Sequence, residues 1–244
     1  MAEMTLDSGM MQYPSEDGTS INAYLSHPTK AGKYPGAVVI MEAFGLHDSI
    51  KTHARHIAAQ GYVAVAPDLY TREGALDASD LASVMKRVTG LPDAQAVADL
   101  KGAVAYLKGR PDCTGKVGAI GWCSGGRHTV LLACNARIDA AVDCYGGRVV
   151  QDQVGPAQPV APVDQIRNLS CPLLGLFGEE DTNPSPAHVE RIRQELTKHR
   201  KVFEIKSYSK AGHGFFADYR PSYRPEAAKD AWQRVFDWYG RHLK

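Results

Sequence analysis

The chain has 244 residues, with 28 Lys and Arg against 27 Asp and Glu, and a formal charge of +1. This balance argues against a nucleic-acid or membrane-surface protein, because both partners need a positive field to hold their phosphates. No apolar run approaches the ~20 residues that span a bilayer, and the first residues lack the basic and then apolar pattern of a signal peptide. We therefore expect a cytoplasmic protein.

Strand-length apolar runs alternate with longer segments of helical period. Nearly continuous apolar runs, typical of strands buried on both faces, lie at 35–41, 62–67, 116–121, 140–145 and 172–178. The run at 202–208 alternates, as in a strand nearer the sheet edge. Helices are expected at about 49–60, 78–109 with a break at 90–92, 124–136, 186–199 and 225–243. This alternation predicts an α/β fold with a mostly parallel central sheet and helices on both faces.

The sequence predicts a single domain over 1–244, because no linker separates two cores. Residues 147–170 are rich in Pro and Gln without a period, and we expect a long loop or insertion there. The near-neutral charge and the lack of an apolar surface stripe favour a monomer. Four of the five cysteines lie in or beside apolar segments and are expected as buried thiols: Cys113, Cys134, Cys144 and Cys171.

The turn after the predicted strand at 116–121 carries a candidate nucleophile. It reads Gly-Trp-Cys-Ser-Gly-Gly at 121–126, which is the Gly-x-nucleophile-x-Gly elbow with Cys123 where serine hydrolases have Ser. The spacing places the thiol at a helix N-terminus, where unpaired N–H groups and the helix dipole favour a thiolate. A glycine-rich turn around a buried cysteine is the alternative interpretation.

A base and an acid follow in later turns. His213 lies in a Gly-flanked loop after the predicted strand at 202–208, and the strand at 172–178 is followed by Glu179, Glu180 and Asp181. Asp181 is the preferred acid, because the fourth position of this turn is its usual place. The chain order nucleophile, acid, histidine is that of the α/β-hydrolase fold, and it predicts a Cys123–His213–Asp181 triad.

These residues identify a family. The sequence resembles the dienelactone hydrolases, or carboxymethylenebutenolidases, from about Tyr24 to the C-terminus. The matching segments are Met-Glu-Ala-Phe-Gly-Leu at 41–46, Ala-Pro-Asp-Leu-Tyr at 66–70, the elbow at 121–126, Gly-Glu-Glu-Asp at 178–181 and Gly-His-Gly-Phe at 212–215. The resemblance implies Cys123 as nucleophile, His213 as base and Asp181 as its orienting acid, with no cofactor or metal.

The resemblance also implies roles for three further positions. The backbone N–H groups of Ala43 and Ser124 would form the oxyanion hole. Glu42 would hydrogen-bond the resting thiol and keep it protonated until substrate displaces it, which protects the cysteine from oxidation and alkylation. The alternative for Glu42 is a structural carboxylate that pairs with a nearby arginine.

One departure from the family concerns the substrate carboxylate. Dienelactone-specific members carry a Ser directly after the histidine and an Arg four residues after it, whereas this chain has Gly214 and Ala217. Arg72 and Arg220 are candidates for the missing arginine, although neither matches by position.

The predicted reaction is attack of Cys123 on an activated ester or enol lactone through an acyl-thioester. The nearest alternative is a general carboxylesterase or thioesterase without dienelactone activity. More distant alternatives are a thiol-redox protein and a non-catalytic ligand-binding module. His53 and His56 share one helical face as metal ligands can, but without a third ligand we expect a solvated helix face.

Overall fold

Eight strands form one sheet in the computed structural model, which describes residues 4–74 and 76–244. The strands are β1 (Leu6–Pro14), β2 (Ser20–Pro28), β3 (Tyr34–Ile40), β4 (Val63–Pro67), β5 (Cys113–Trp122), β6 (Ala140–Cys144), β7 (Leu173–Gly178) and β8 (Phe203–Tyr208). Their spatial order is β1-β2-β4-β3-β5-β6-β7-β8. From β3 to β8 all pairs are parallel, whereas β1 and β2 are antiparallel.

Six α-helices connect these strands within the described ranges. They are α1 (Asp48–Ala59), α2 (Leu81–Gly90), α3 (Asp93–Gly109), α4 (Ser124–Asn135), α5 (Pro186–Lys198) and α6 (Pro225–His242). The predicted helices are confirmed with shifts of one to three residues at their ends, and the break at 90–92 separates α2 from α3. None of the helices in 4–74 and 76–244 is long and apolar enough to cross a membrane.

Helices cover both faces of the sheet. Successive strand side chains point to opposite faces, and β5 shows which helix lies on each. Val117 and the neighbouring Gly36 lie beside Leu107 of α3, whereas a side chain on Gly118 would meet Tyr239 of α6. The predicted α/β-hydrolase fold, with a mostly parallel sheet between two helical layers, is confirmed.

The two N-terminal strands were not predicted from the sequence. In β1 most residues are exposed, and β2 alternates between buried and partly buried positions, so neither contains a continuous apolar run. Antiparallel strands at the edge of a sheet tolerate this pattern because one face can remain in water. The position of β8 at the opposite edge agrees with its alternating sequence.

The segment 147–170 contains one short ordered element, the 3₁₀ helix Pro162–Asn168. This helix contacts α4 and α5, and its Val163 and Ile166 are buried. Gln158, earlier in the segment, is also buried and contacts the end of α2. The four cysteines predicted as buried thiols are buried and unpaired.

Candidate active site

Cys123 lies between β5 and α4 in a strained backbone conformation, with φ +56° and ψ −120°. L-residues rarely adopt positive φ, and such strain persists where the surrounding structure enforces it. Here the enforcing feature is the close approach of strand and helix. A Cβ atom on Gly121 would overlap the Gly125 backbone, and one on Gly125 would lie 2.6 Å from the Met41 carbonyl oxygen. The elbow therefore requires glycine at both positions.

His213 and Asp181 meet across the ends of β8 and β7. The Nδ1 atom of His213 lies 2.9 Å from Oδ2 of Asp181. The other carboxylate oxygen of Asp181 accepts a hydrogen bond from the Asn183 backbone N–H at 2.8 Å, so the acid is held from both sides. Of the three candidate acids, the structure brings Asp181 to the histidine and leaves Glu179 and Glu180 exposed.

His213 lines the same cavity as Cys123, close enough for the sulfur to affect the pKa of the ring. Burial lowers the pKa of His213, but the carboxylate of Asp181 and the sulfur of Cys123 outweigh burial and raise it to about 10. At neutral pH the ring therefore carries a proton, and it can stabilise a thiolate at Cys123 and later donate that proton.

Ala43 and Ser124 line the same cavity as Cys123 and His213. Ser124 is the first residue of α4, where N–H groups have no acceptor within the helix. Ala43 is positioned by the Tyr70 hydroxyl, which donates a hydrogen bond of 3.0 Å to the Ala43 carbonyl oxygen. Both residues therefore border the cavity into which Cys123 opens.

Glu42 follows β3 and is only 3% exposed. The Tyr219 hydroxyl and Nη2 of Arg220 each donate to its Oε2 at 3.0 Å, and Nε2 of His47 lies 3.6 Å away. Burial raises the pKa of Glu42, but these partners outweigh burial and lower it, so the carboxylate is ionised. The expected hydrogen bond to the Cys123 thiol is absent among the described contacts, and the carboxylate pairs with Arg220 instead.

Of the two arginines predicted as substrate contacts, only one lies beside the candidate active site. Arg220 lies beside the site, but its guanidinium is occupied by Glu42 and stacks over Phe44. The expectation for Arg72 is wrong. Its guanidinium binds Asp99 at 2.5 Å and Asp17 at 2.9 Å, so it ties the turn between β1 and β2 to α3.

The prediction of a solvated face agrees with the exposed His56, but it needs correction for His53, which is partly buried. His53 stacks on Trp122 with ring centroids 4.4 Å apart, and His56 packs edge-on against Trp232. Burial lowers the pKa of His53 to about 4, so this ring is neutral at physiological pH. No cluster of three metal-ligating side chains occurs in the part of the chain that the structure describes.

Cys123, Asp181 and His213 line one cavity of about 220 Å³, and Glu42 is not part of its lining. Its lining also includes two arginines that the sequence analysis did not select, Arg127 on α4 and Arg148 after β6. Arg127 is 1% exposed and forms a two-pronged ion pair with Asp93. A signal for Arg148 existed in the sequence, because it follows a buried strand in the same way as Cys123 and Asp181 do.

Comparison with known proteins identifies the family. The model of the dienelactone hydrolase family matches residues 21–243. The chain belongs to the dienelactone hydrolase family. A Methylorubrum extorquens member named "Putative carboxymethylenebutenolidase" is 40% identical over 243 residues, covering 97% of this chain and 82% of that protein.

Two further proteins that this chain is similar to extend the comparison. The crystal structure of a "Putative Dienelactone Hydrolase" from Klebsiella pneumoniae has a TM-score of 0.91 at 36% identity, covering 98% of this chain and all of that one. A Bradyrhizobium protein named "Probable 2-oxo-3-(5-oxofuran-2-ylidene)propanoate lactonase" is 29% identical, with 93% of this chain and 92% of that protein covered.

Proposed function

We propose that this dienelactone hydrolase family member hydrolyses activated carboxylic esters or enol lactones, with Cys123 as the nucleophile. The observation that carries the proposal is that Cys123 lines one cavity together with the hydrogen-bonded pair of His213 and Asp181. A strained nucleophile, a histidine within reach and a buried acid behind it form the arrangement that covalent acyl transfer requires.

In the proposed first step the Cys123 thiolate attacks the carbonyl carbon. The oxyanion is stabilised by the N–H groups of Ala43 and Ser124, each worth about 3 kcal/mol of transition-state stabilisation. The tetrahedral intermediate then expels the alkoxide or enolate oxygen, which takes the proton of the His213 imidazolium. The products of this step are an acyl-thioester on Cys123 and a neutral histidine.

The second step releases the acyl group to water. Acylation removes the thiolate charge that helps to raise the pKa of His213, so its affinity for a proton falls. The neutral ring can then take a proton from the attacking water as general base. Collapse of the second intermediate gives the carboxylic acid and restores the thiolate and the imidazolium.

The nucleophile limits the substrate class. A thiolate leaves more readily than a simple alkoxide, so the intermediate from an ordinary alkyl ester returns to reactants. Enol lactones, aryl esters and thioesters carry better leaving groups and are the expected substrates. The names of the Methylorubrum and Bradyrhizobium relatives, a butenolidase and a lactonase, support the enol lactone.

We further propose that Glu42 protects the resting thiol, as the family resemblance implies. Its ionised carboxylate has two alternative partners in this proposal, the Cys123 thiol and the Arg220 guanidinium. Pairing with Arg220, as observed, leaves Cys123 free to interact with His213. The protein is proposed to act as a cytoplasmic monomer on a small-molecule substrate.

A general carboxylesterase without dienelactone activity is the second candidate. It is favoured by Gly214 and Ala217, which replace the Ser and Arg of the dienelactone-specific pattern, and by the burial of Ala217. A panel of one dienelactone, 4-nitrophenyl esters of increasing acyl length and one acyl thioester separates the two candidates.

In that panel, turnover of the dienelactone supports the first candidate, and turnover of aryl esters alone supports the second. Both candidates require that hydrolysis disappears in Cys123→Ala and after iodoacetamide treatment. Turnover that persists in Cys123→Ala would contradict both.

A further inference from the structure

Arg148 lines the same cavity as Cys123, but none of the described residues neutralises its charge. The only side-chain partner of its guanidinium is the neutral amide of Gln158, whose Oε1 accepts from Nη2 at 2.9 Å. No described carboxylate lies within ion-pair distance of it, in contrast to Arg72, Arg127 and Arg220. A partly buried cation without a counter-charge favours an anionic ligand.

Two other positively charged side chains of the cavity have a carboxylate partner. Arg127 is neutralised by Asp93, and His213 by Asp181. His128, which also lines the cavity, is held neutral, because burial and the charge of Arg127 lower its pKa to about 3. Of the two arginines that line the cavity, Arg127 therefore has an ion-pair partner among the described residues and Arg148 has none. Burial and the charge of Arg127 lower the pKa of Arg148, and they outweigh the opposing effect of the Asp93 carboxylate, which is paired with Arg127.

The position of Arg148 is fixed by the surrounding structure. Its backbone has φ +65°, an uncommon conformation for a residue with a side chain, and its N–H donates to Oδ1 of Asn183 at 3.1 Å. Gln158 is 2% exposed and is itself anchored through its amide nitrogen to the Val88 carbonyl oxygen at 2.8 Å. Such support from a second layer of residues is typical of a preorganised binding group.

The shared cavity limits what such a ligand can be. Its volume of about 220 Å³ lies below the ~300–1,000 Å³ of pockets for drug-sized ligands, so a substrate is small. A compact acyl group bound to Cys123 can therefore place its far end near Arg148. The planar guanidinium fork matches a carboxylate in geometry and in charge.

We infer that Arg148 is a specificity-determining residue that binds a carboxylate on the acyl part of the substrate. The inference rests on the proposed function and assigns to Arg148 the contact with a substrate carboxylate for which Gly214 and Ala217 provide no side chain. Arg148 follows β6, and it takes the role for which the sequence had suggested Arg72 and Arg220. Gln158 acts as a positioning residue for the same guanidinium.

The test compares two activated esters of equal chain length. In 4-nitrophenyl hydrogen adipate the acyl chain ends in a carboxylate, and in 4-nitrophenyl hexanoate it ends in a methyl group. Arg148→Met should lose at least 10-fold in kcat/KM on the adipate ester, mainly through KM, and change by less than about 3-fold on the hexanoate ester. Retained hexanoate turnover also shows that the variant is folded.

Two further variants act as controls. Arg167→Met removes an exposed arginine from the 3₁₀ helix of the same segment and should leave both esters unaffected. Arg148→Lys keeps the charge but loses the planar fork, and it should recover part of the adipate activity. An equal loss of both activities in Arg148→Met, or no loss on the adipate ester, overturns the inference.

A binding assay tests the inference without turnover. Succinate should protect Cys123 from iodoacetamide, and the concentration for half protection should rise at least 10-fold in Arg148→Met. Unchanged protection in the variant, or no protection of the wild type, contradicts the role of Arg148. If the wild type cleaves neither these esters nor any substrate of the panel above while Arg148-dependent protection is observed, the proposed function fails and the carboxylate site remains.

Discussion

At the scale of single residues, the proton on His213 is the feature on which the proposed chemistry depends. Asp181 and Cys123 both stabilise the imidazolium against the effect of burial, and together they raise the pKa to about 10. In the proposed mechanism His213 therefore acts first as an acid and only after acylation as a base. This order follows from the charge of its neighbours.

The first prediction concerns the titration of His213. Its Hε1 resonance, assigned by comparison with His213→Gln, should titrate well above the ordinary value of about 6.5. The midpoint should fall in Asp181→Asn and in Cys123→Ala, because each change removes a group that favours the charged ring. A wild-type midpoint near 6.5 would contradict the ion pair.

The raised pKa of His213 also makes the free energy of unfolding depend on pH. Between about pH 6.5, where the unfolded ring titrates, and about pH 10, the folded protein binds more protons at His213 than the unfolded chain. The contribution of this group to the free energy of unfolding is therefore complete below pH 6.5 and is lost as the pH rises to about 10.

The second prediction concerns Glu42. Removing its negative charge in Glu42→Gln should speed alkylation of Cys123 by iodoacetamide several-fold in the absence of substrate, because a nearby anion disfavours the thiolate. Tyr219→Phe is the matched control, since it removes one hydrogen bond from the same carboxylate and leaves the charge. If Glu42→Gln lowers only the melting temperature and leaves the alkylation rate unchanged, Glu42 is a structural partner of Arg220.

At the scale of elements, the elbow depends on how closely β5, α4 and β3 approach one another. A methyl group on Gly125 would collide with the carbonyl oxygens of Ile40 and Met41, which are backbone atoms and cannot move aside. The same carbonyls end β3 just before Glu42 and Ala43. Packing at Gly125 therefore sets the distance between the nucleophile and one half of the proposed oxyanion hole.

The third prediction follows from this packing. Gly125→Ala should destabilise the fold by about 1–3 kcal/mol or more through overpacking, and it should reduce kcat. Gly240→Ala on α6 is the control, because nothing lies near its Cβ and alanine favours a helix by up to ~1 kcal/mol. Thermal unfolding of both variants measures the difference. A Gly125→Ala protein as stable as the wild type would contradict the close approach.

At the scale of the whole molecule, the site is built along one edge of the sheet. Glu42, Cys123, Arg148, Asp181 and His213 follow β3, β5, β6, β7 and β8, in line with the rule that ligands bind outside the carboxyl ends of parallel strands. This rule is why the sequence sufficed to select Cys123, Asp181 and His213 as candidates, since buried strands are visible as apolar runs and the turns after them are few.

The remaining features depend on long-range contacts that no local pattern encodes. The antiparallel β1–β2 pair lacks continuous apolar runs and was missed. Arg72 was selected because it follows β4, but the structure shows that it forms an ion pair with Asp99 on α3. Arg148 was overlooked because the absence of an ion partner becomes visible only when the whole cavity is assembled.

The fourth prediction concerns association. The exposed large apolar side chains are scattered over separate segments and include Met10, Leu81, Val154, Val202 and Tyr219. Without a continuous apolar patch we expect no stable dimer. Sedimentation equilibrium should give the mass of one 244-residue chain at micromolar concentration. A concentration-independent mass of two chains would contradict the proposed monomer.

The central claim is that an acyl group passes through the sulfur of Cys123. Rapid acid quenching during turnover of a 4-nitrophenyl ester, followed by peptide mass spectrometry, tests it directly. We expect the peptide that carries Cys123 to gain the mass of the acyl group and to lose it on treatment with neutral hydroxylamine. In Cys123→Ala we expect neither adduct nor turnover. Turnover at the wild-type rate in Cys123→Ala, or an acyl group on Ser124 instead, would contradict the role of Cys123 as the nucleophile.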